Sequence, residues 1–372
     1  MSEREDERIW ARRNPRFAKA GYVAYLPAMD TSTRPTGVLL IQLGTPDSTE
    51  VSDVRAYLRQ FLSDPRVIDL PAPARALLLN AVILPFRPRR SAEQYQKIWT
   101  DEGSPLTIHT SDLADRVQDV LGPEYRVAFG MRYRKPSIES AVERLVAANC
   151  IRIVVLPLFP QYASASTGSA LEELFCVVGG RWNVPVVTTI NDFFDDPRFV
   201  QSVAEVARPH LEEFAPDHTV LSYHGLPEKQ VKKSDPTGSW CLTRSDCCDR
   251  MVEANRFCYR AQSYATSRAL ASALGVEEGS FTTAFQSRLA GQKWIEPFTD
   301  VEIQTLYDGG VRRLAVLTPS FTADCLETLE EIGIRLREQW ERIGGEDLLL
   351  VPCVNADPTW VAAVADMVRD VA

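Results

Sequence analysis

The sequence lacks any apolar run that approaches the roughly 20 residues a membrane-spanning helix requires. It also lacks an excess of positive charge: the formal net charge is -9, and no basic stripe interleaved with aromatic residues is present. Residues 1–17 have no apolar core, which is not typical of a secretory signal or a transit peptide. These absences predict a cytoplasmic protein that has no nucleic acid partner.

The composition is typical of a folded protein, with 45% hydrophobic and 24% charged residues. Single hydrophobic cores rarely grow beyond roughly 250 to 300 residues, so a chain of 372 residues predicts two domains. We expect a partly mobile arm over residues 1–36, a first domain over 37–195 and a second over 196–345. Residues 346–372 are expected to form a last strand and a C-terminal helix.

Strands and helices are predicted to alternate along the chain. Apolar runs predict strands near residues 38–43, 125–130, 151–159, 184–190, 219–223, 281–285, 314–318 and 348–351. Residues 152–174 and 313–332 share one pattern: a strand, a loop marked by proline and an acidic helix. The sequence therefore predicts an α/β fold with two similar doubly wound, Rossmann-like domains, parallel sheets and a ligand cleft between them.

One histidine stands where a predicted strand ends. Residues 219–227 read TVLSYHGLP. This pattern predicts that an apolar strand ends at His224 and that a loop starts at Gly225, with Pro227 two residues further on. Ligands bind at this end of parallel strands, and an imidazole there can accept a proton or bind a metal near neutral pH. The alternative is that His224 only completes a turn.

Three acids follow another predicted strand. Asp324, Glu327 and Glu331 are spaced by three and four residues, which places them on one face of a helix. Clustered carboxylates can relay protons or bind a hard cation. The alternative is a solvated helix start, where acids interact favourably with the helix dipole.

Four of the eight cysteines crowd into a segment predicted as an insertion, residues 234–258. Cys241, Cys247, Cys248 and Cys258 can together hold zinc or an iron–sulfur cluster, and their spacing matches neither a zinc ribbon nor a plant-type ferredoxin. Free thiols are the third possibility. A reducing compartment argues against disulfides.

Residues 76–90, which we call the lip, combine an apolar stretch with Arg87, Arg89 and Arg90. Such a segment can contact a membrane surface. The alternative is a buried core helix that ends at Pro85.

Several motifs, spread from about residue 37 to the end, resemble those of the ferrochelatases, lyases that insert ferrous iron into a porphyrin. The motifs are QLGTP (42–46), YQKIW (95–99), GSPL (103–106), GMRY (130–133), LPLFPQY (156–162), STGS (166–169), SYHGLP (222–227), FQSR (285–288), Trp294 and FTADCLETLEE (321–331). Animal members carry a second histidine where this chain has Cys325, whereas bacterial members share the cysteine.

The resemblance implies a chelatase fold and a reaction. Fe2+ enters protoporphyrin IX, two protons are released and protoheme forms in the last step of heme biosynthesis. His224 matches the active-site histidine, as proton acceptor or metal donor. Glu327 matches the facing glutamate, a possible ligand of the substrate Fe2+, and Asp324 and Glu331 would extend its carboxylate line. The implied porphyrin-binding positions are Leu43, Arg132, Tyr133, Tyr162, Trp294 and Phe321.

The resemblance also implies a cofactor, because some bacterial members bind a [2Fe-2S] cluster through four cysteines in this internal region. Peripheral membrane contact through the lip is expected. Three rival functions are a chelatase for coproporphyrin with iron or for cobalt or nickel in another tetrapyrrole, a non-catalytic heme or iron–sulfur sensor on the same scaffold, and a structural zinc-binding adaptor.

Overall fold

A computed structural model describes the protein over residues 34–277, 279–289 and 291–372. Residues 35–372 form one compact unit that contains two four-stranded parallel sheets. Residues 1–33 of the predicted arm lie outside the described residues, and the predicted domain boundary at residue 195 stays a prediction.

The first sheet has the strand order β2-β1-β3-β4. Its strands are β1 Thr36–Gly44, β2 Tyr125–Tyr133, β3 Arg152–Pro157 and β4 Val186–Thr189. Residues 38–41 of β1 have no exposed surface, because β1 lies in the centre of the sheet with side chains packed on both faces. A continuous apolar run is what such a strand requires.

The second sheet repeats the topology, with the order β6-β5-β7-β8. Its strands are β5 His218–His224, β6 Phe281–Gln286, β7 Arg313–Leu317 and β8 Asp347–Leu350. The prediction of two similar doubly wound parallel sheets is confirmed. Parallel pairing sends the carboxyl ends of β5, β6 and β7 to one edge, where the loops carry the predicted site.

Helices connect and cover these strands. They are α1 Val51–Ser63, α2 Ala72–Leu77, α3 Leu84–Ile98, α4 Pro105–Leu121, α5 Ile138–Ala147, α6 Ser169–Gly179, α7 Pro197–Phe214, α8 Glu228–Lys233, α9 Tyr259–Leu274, α10 Thr299–Asp308, α11 Leu326–Leu329, α12 Arg337–Ile343 and α13 Pro358–Arg369. Within the described residues, Leu78–Ile83, Ser164–Gly168 and Glu331–Leu336 are π-helical, and Glu253–Asn255 is a 3-10 turn. Asp196 and Asp357 cap α7 and α13, each followed by a proline that suits the first helical turn.

Helix α13 packs on the first sheet, although it follows the last strand of the second. Trp360 and Val364 are fully buried in the core cluster that contains Val38 and Leu40 of β1. The C-terminal helix therefore ties the end of the chain to its beginning.

The lip differs from the buried helix that was considered as its alternative. Helix α3 continues beyond Pro85 to Ile98, and the side chains of Leu77 and Phe86 are 69% and 76% exposed. Leu79 and Leu84 are buried instead. Across the described residues, no helix combines the length and the apolarity that crossing a membrane demands.

Candidate functional site

His224 ends the central strand of the second sheet and is half-buried. Its backbone N–H donates to Ser320 Oγ over 3.1 Å, and its Nδ1 lies 2.7 Å from the carbonyl oxygen of Gly225. Since a carbonyl oxygen only accepts hydrogen bonds, Nδ1 must carry the proton in this contact. In this tautomer the lone pair of Nε2 is left to accept a proton.

Two acids, Glu327 and Glu331, interact electrostatically with each other, and Glu331 also interacts with His224. Glu331 interacts with both His224 and Glu327, and its carboxylate accepts hydrogen bonds from the Ser287 amide (2.9 Å) and hydroxyl (2.5 Å). Burial raises the pKa of Glu331, opposed by the hydrogen bonds of Ser287 and by the charge of Arg335. A carboxyl group of this kind can hold or release a proton close to the imidazole.

Asp324 does not share a helical face with these acids. Helix α11 begins at Leu326, so Asp324 lies in the preceding loop, and its carboxylate is buried. It accepts hydrogen bonds from Asn355 Nδ2 (2.8 Å) and Thr328 Oγ1 (3.1 Å). The predicted single line of three acids is thus interrupted at its first member, where local hydrogen bonds favour a loop over a longer helix.

Aromatic and apolar side chains surround His224. The ring of Phe321 lies 6.4 Å from the imidazole, and Trp294 packs on Gly225, with its indole N–H buried and without a hydrogen-bond partner among the described residues. Leu43, near the end of β1, and Leu326 from the second half pack against the same core cluster. Phe321 and Trp294 therefore lie beside the His224–Gly225 turn, and Leu43 lies in a cluster that joins the two halves.

Arg132 and Tyr133 meet behind this surface, around the buried carboxylate of Asp64. Arg132 Nη2 and Tyr133 Oη donate to Asp64 Oδ2 over 3.0 and 2.9 Å, and Arg132 also pairs with Glu173 at 3.4 Å. Burial favours a higher pKa for Asp64, but the hydrogen bonds of Ser169, the Arg66 amide and Tyr133 outweigh it and lower the pKa. The charge of Arg132 is already balanced by two carboxylates.

Replacing Asp64 by asparagine should lower the free energy of unfolding by about 3 kcal/mol at pH 7, because it removes the buried carboxylate that the half-buried Arg132 contacts at 3.0 Å. Because the pKa of Asp64 is lower in the folded than in the unfolded state, its ionised form stabilises the protein above about pH 4. This stabilisation is lost as the pH falls through the folded-state pKa of Asp64. Urea unfolding should therefore show the difference from the parent shrinking in acid. Glu173→Gln is the matched control, with an expected loss below about 1 kcal/mol. Equal losses for both variants would contradict this account.

Arg87, in the basic end of the lip, lies close to the candidate site. It is half-buried on α3 and interacts electrostatically with Glu327, Tyr57 and Tyr95. Burial lowers the pKa of Arg87, and no carboxylate in the described part of the chain pairs with it at ion-pair distance. Its spacing of four and eight residues from the buried Ser91 and Tyr95 was the available sequence signal.

Tyr162 lies in the loop after β3 and is half-buried. Its amide donates to Gln262 Oε1 over 2.6 Å, and its ring packs edge-on against Phe257 at 5.4 Å. This predicted porphyrin position is therefore held by residues of the second half.

The four crowded cysteines converge on one pocket, which we call the cysteine pocket. Cys241, Cys247, Cys248 and Cys258 are all unpaired and only 1% to 4% exposed. The Sγ atoms of Cys247 and Cys248 lie 3.7 Å apart, and the Cys258 thiol interacts with those of Cys241 and Cys248. The neighbouring thiol of Cys241 and burial raise the pKa of Cys258 to about 12. A metal bound there would have to displace thiol protons.

Several donors point at these sulfur atoms. Arg260 Nη1 lies 3.1 Å from Cys248 Sγ, and the amides of Leu242 and Ala261 interact with Cys247 and Cys258. Such contacts stabilise thiolate charge in cysteine-bound metal centres. Over residues 34–277, 279–289 and 291–372, no group of three or more His, Cys, Asp or Glu side chains is already arranged around a metal-ion position.

Comparison with known structures supports the fold. SirB from Bacillus subtilis with Fe3+ aligns over 90% of this chain and 95% of its own, with a TM-score of 0.51 and 12% identity. The sirohydrochlorin chelatase SirB from Bacillus subtilis subspecies spizizenii, in complex with cobalt, aligns over 90% and 94% with a TM-score of 0.50 and 12% identity. At this identity the likeness concerns the fold alone.

Comparison with known sequences is more specific. The family model described as Ferrochelatase matches residues 35–372. The ferrochelatase of Coxiella burnetii (strain CbuK_Q154) is 49% identical over 333 residues, 90% of this chain and 93% of its own. That of Legionella pneumophila (strain Lens) is 44% identical over 335 residues, 90% and 98% of the two chains. A match of this extent, across both sheets and the loops that carry His224 and Glu327, confirms the resemblance and shows that the chain belongs to the ferrochelatase family.

Proposed function

We propose a mechanism for the ferrochelatase activity of this chain, the insertion of ferrous iron into protoporphyrin in heme biosynthesis. The porphyrin lies between the facing strand ends, His224 Nε2 accepts the pyrrole protons, and Glu331 with Glu327 passes them on or attracts the incoming Fe2+. The observation that carries this assignment is the contact of His224 Nδ1 with the Gly225 carbonyl, since it leaves Nε2 free. Asp324 supports the loop through Asn355.

The walls are proposed to bind the flat macrocycle through apolar and aromatic surfaces. Leu43, Phe321 and Trp294 would contact the ring, and the unpaired indole N–H of Trp294 offers a donor toward it. Tyr133 is fully buried, so its proposed contribution is to support this wall from behind. Arg132 already pairs with Asp64 and Glu173, whereas Arg87 has no carboxylate partner at ion-pair distance among the described residues. We therefore assign one porphyrin propionate to Arg87.

Replacing Arg87 by glutamine should raise the KM for protoporphyrin about tenfold with little change in kcat, because the lost contact binds substrate and transition state alike. Steady-state assays with varied porphyrin measure this split. Arg90→Gln, an exposed arginine of the same helix, is the control and should match the parent. A KM equal to the parent's in Arg87→Gln would assign the propionate to another residue.

We also propose that Cys241, Cys247, Cys248 and Cys258 hold a [2Fe-2S] cluster. Four buried thiols, with an arginine and two amides directed at them, supply the types of ligand and hydrogen-bond donor that such a group requires. When bound, it would add a redox-active iron centre and crosslink the insertion. Zinc in the same pocket remains the second candidate, because four thiolates suit it equally well.

Peripheral membrane contact through the lip is proposed from its exposed Leu77, Val82 and Phe86 side chains, next to Arg89 and Arg90. Such a surface would let an apolar porphyrin pass from the membrane into the cleft without exposure to bulk water.

Anaerobic purification followed by addition of Fe2+ and protoporphyrin tests the main proposal. A heme spectrum supports it, and assays with coproporphyrin, Co2+ and Ni2+ run beside it identify the preferred substrates. Heme binding without metal insertion would instead favour the sensor function.

A further inference from the structure

Helix α9 begins in the cysteine pocket and passes both walls of the proposed porphyrin cleft. Cys258 precedes its first residue. Gln262, Thr266 and Ser267 then place buried polar side chains, at most 1% exposed, along its length. Because buried polar groups in a helix need partners outside it or in its own backbone, their contacts show what the helix holds.

The three side chains reach both halves of the chain. Gln262 Oε1 accepts a hydrogen bond from the Tyr162 amide over 2.6 Å, and Thr266 Oγ1 receives one from Gln161 Nε2 over 3.0 Å. On the other side, Ser267 Oγ lies 2.9 Å from the hydroxyl of Tyr223, the residue before His224. Helix α9 thus contacts both the loop after β3, which carries Tyr162 and which we call the Tyr162 wall, and strand β5, which ends at His224.

The other end of the Gln262 amide leads back to the cysteine insertion. Its Nε2 donates to the carbonyl oxygen of Arg256 over 2.8 Å. Phe257, the next residue, packs its ring against Tyr162. The segment that ends in Cys258 is therefore joined to the Tyr162 wall by one buried amide and one ring contact.

We propose that Gln262 is a positioning residue, which fixes Tyr162 against the end of the cysteine insertion and transmits the state of the cysteine pocket to porphyrin binding. The inference rests on the proposed function for the identity of the porphyrin ligand and of the group that the cysteines bind. A change at Cys258 shifts residues 256–258, and Gln262 and Phe257 pass this shift to Tyr162.

The first experiment compares Gln262→Met, which keeps the side-chain size but loses both hydrogen bonds, with Ser263→Ala. Ser263 is equally buried on α9, but its hydroxyl donates within the helix to the carbonyl of Tyr259. Protoporphyrin binding is followed by fluorescence without iron, and amide hydrogen exchange is followed in the peptide that contains Tyr162. Gln262→Met should weaken binding about 5- to 20-fold and speed this exchange, whereas Ser263→Ala should do neither. Equal effects of both variants would overturn the positioning role.

Phe257→Ala provides a second variant should Gln262→Met fold poorly. Phe257 is 48% exposed, so its removal leaves the core intact. It should weaken porphyrin binding and loosen the Tyr162 peptide in the same direction, and unchanged binding and exchange would count against the contact.

The second experiment tests transmission from the pocket with Cys258→Ser, alone and combined with Gln262→Met. Porphyrin binding and Tyr162-peptide exchange should change in the single variant and change no further in the double variant, because one path carries both effects. Parent-like values in Cys258→Ser, or additive effects in the pair, would overturn the transmission. If the parent itself fails to bind protoporphyrin, the proposed substrate is wrong, and the exchange data still decide the positioning role.

Discussion

Replacing His224 by alanine is expected to slow iron insertion by about 10²- to 10⁴-fold, the range that a positioned general base contributes. The reason lies in the tautomer: Nδ1 of His224 donates to the Gly225 carbonyl over 2.7 Å, which leaves Nε2 to accept a pyrrole proton. The initial rate of heme formation from Fe2+ and protoporphyrin under anaerobic conditions measures the effect. Parent-like turnover would remove His224 from the reaction.

A second histidine on the same strand supplies the control. His218 starts β5, is buried, and lies 2.9 Å from Thr282 Oγ1 at the opposite edge of the sheet. His218→Asn should lower stability but keep the rate of iron insertion close to the parent's. A large rate loss in both variants would point to a general disturbance of β5.

Chemical rescue separates the two roles that the imidazole can have. If Nε2 accepts protons, added imidazoles should restore part of the rate of His224→Ala, and more basic imidazoles should restore more. If His224 delivers metal, the variant should show a raised KM for Fe2+ and respond to the metal concentration instead. Porphyrin binding should be close to that of the parent in either case, since Leu43, Trp294 and Phe321 are unchanged.

The sequence predicts the strands well because each is a short apolar run, and β1, β3, β5, β7 and β8 have glycine or proline at or just after their ends. His224 could be placed for the same reason: it follows such a run directly, so the topology of a parallel sheet determines its surroundings. Asp324 could not, since its position depends on Asn355, whose contribution no periodicity in the 324–331 segment reveals. The contact between Tyr162 and Gln262 spans 100 residues of chain and depends on how the two sheets face each other.

Arg87 shows a different limit. Its helix and register are readable from the spacing of Leu84, Ala92 and Tyr95, but burial of an arginine depends on what the lip covers. Arg87 is half-buried and interacts electrostatically with Glu327, whereas Arg89 and Arg90 are exposed. Neighbouring arginines of one short segment therefore acquire different surroundings from the tertiary structure.

Replacing Cys248 by serine is expected to remove the proposed cluster and a large share of the stability of the insertion. Cys248 is the central thiol: it lies 3.7 Å from Cys247 Sγ, interacts with Cys258 and accepts a hydrogen bond from Arg260 over 3.1 Å. Because metal-binding free energy becomes folding free energy, bound structural metals typically contribute about 10 kcal/mol or more in small sites. We expect loss of visible absorbance, iron and sulfide, together with a Tm lower by at least about 5 °C.

Cys150→Ser is the matched control for this variant, because Cys150 is equally buried but lies in the core under the first sheet, among apolar side chains. It should keep the full iron and sulfide content and lose only the small stability that a buried hydroxyl costs. Metal content of the parent separates the candidates: two iron and two sulfide per chain indicate the [2Fe-2S] cluster, whereas one zinc per chain without colour indicates zinc. Neither metal in anaerobically purified parent, with Cys248→Ser as stable as Cys150→Ser, would show that the four thiols are free. The guanidinium of Arg260 contacts Cys248 Sγ, and it stabilises a thiolate more than a thiol.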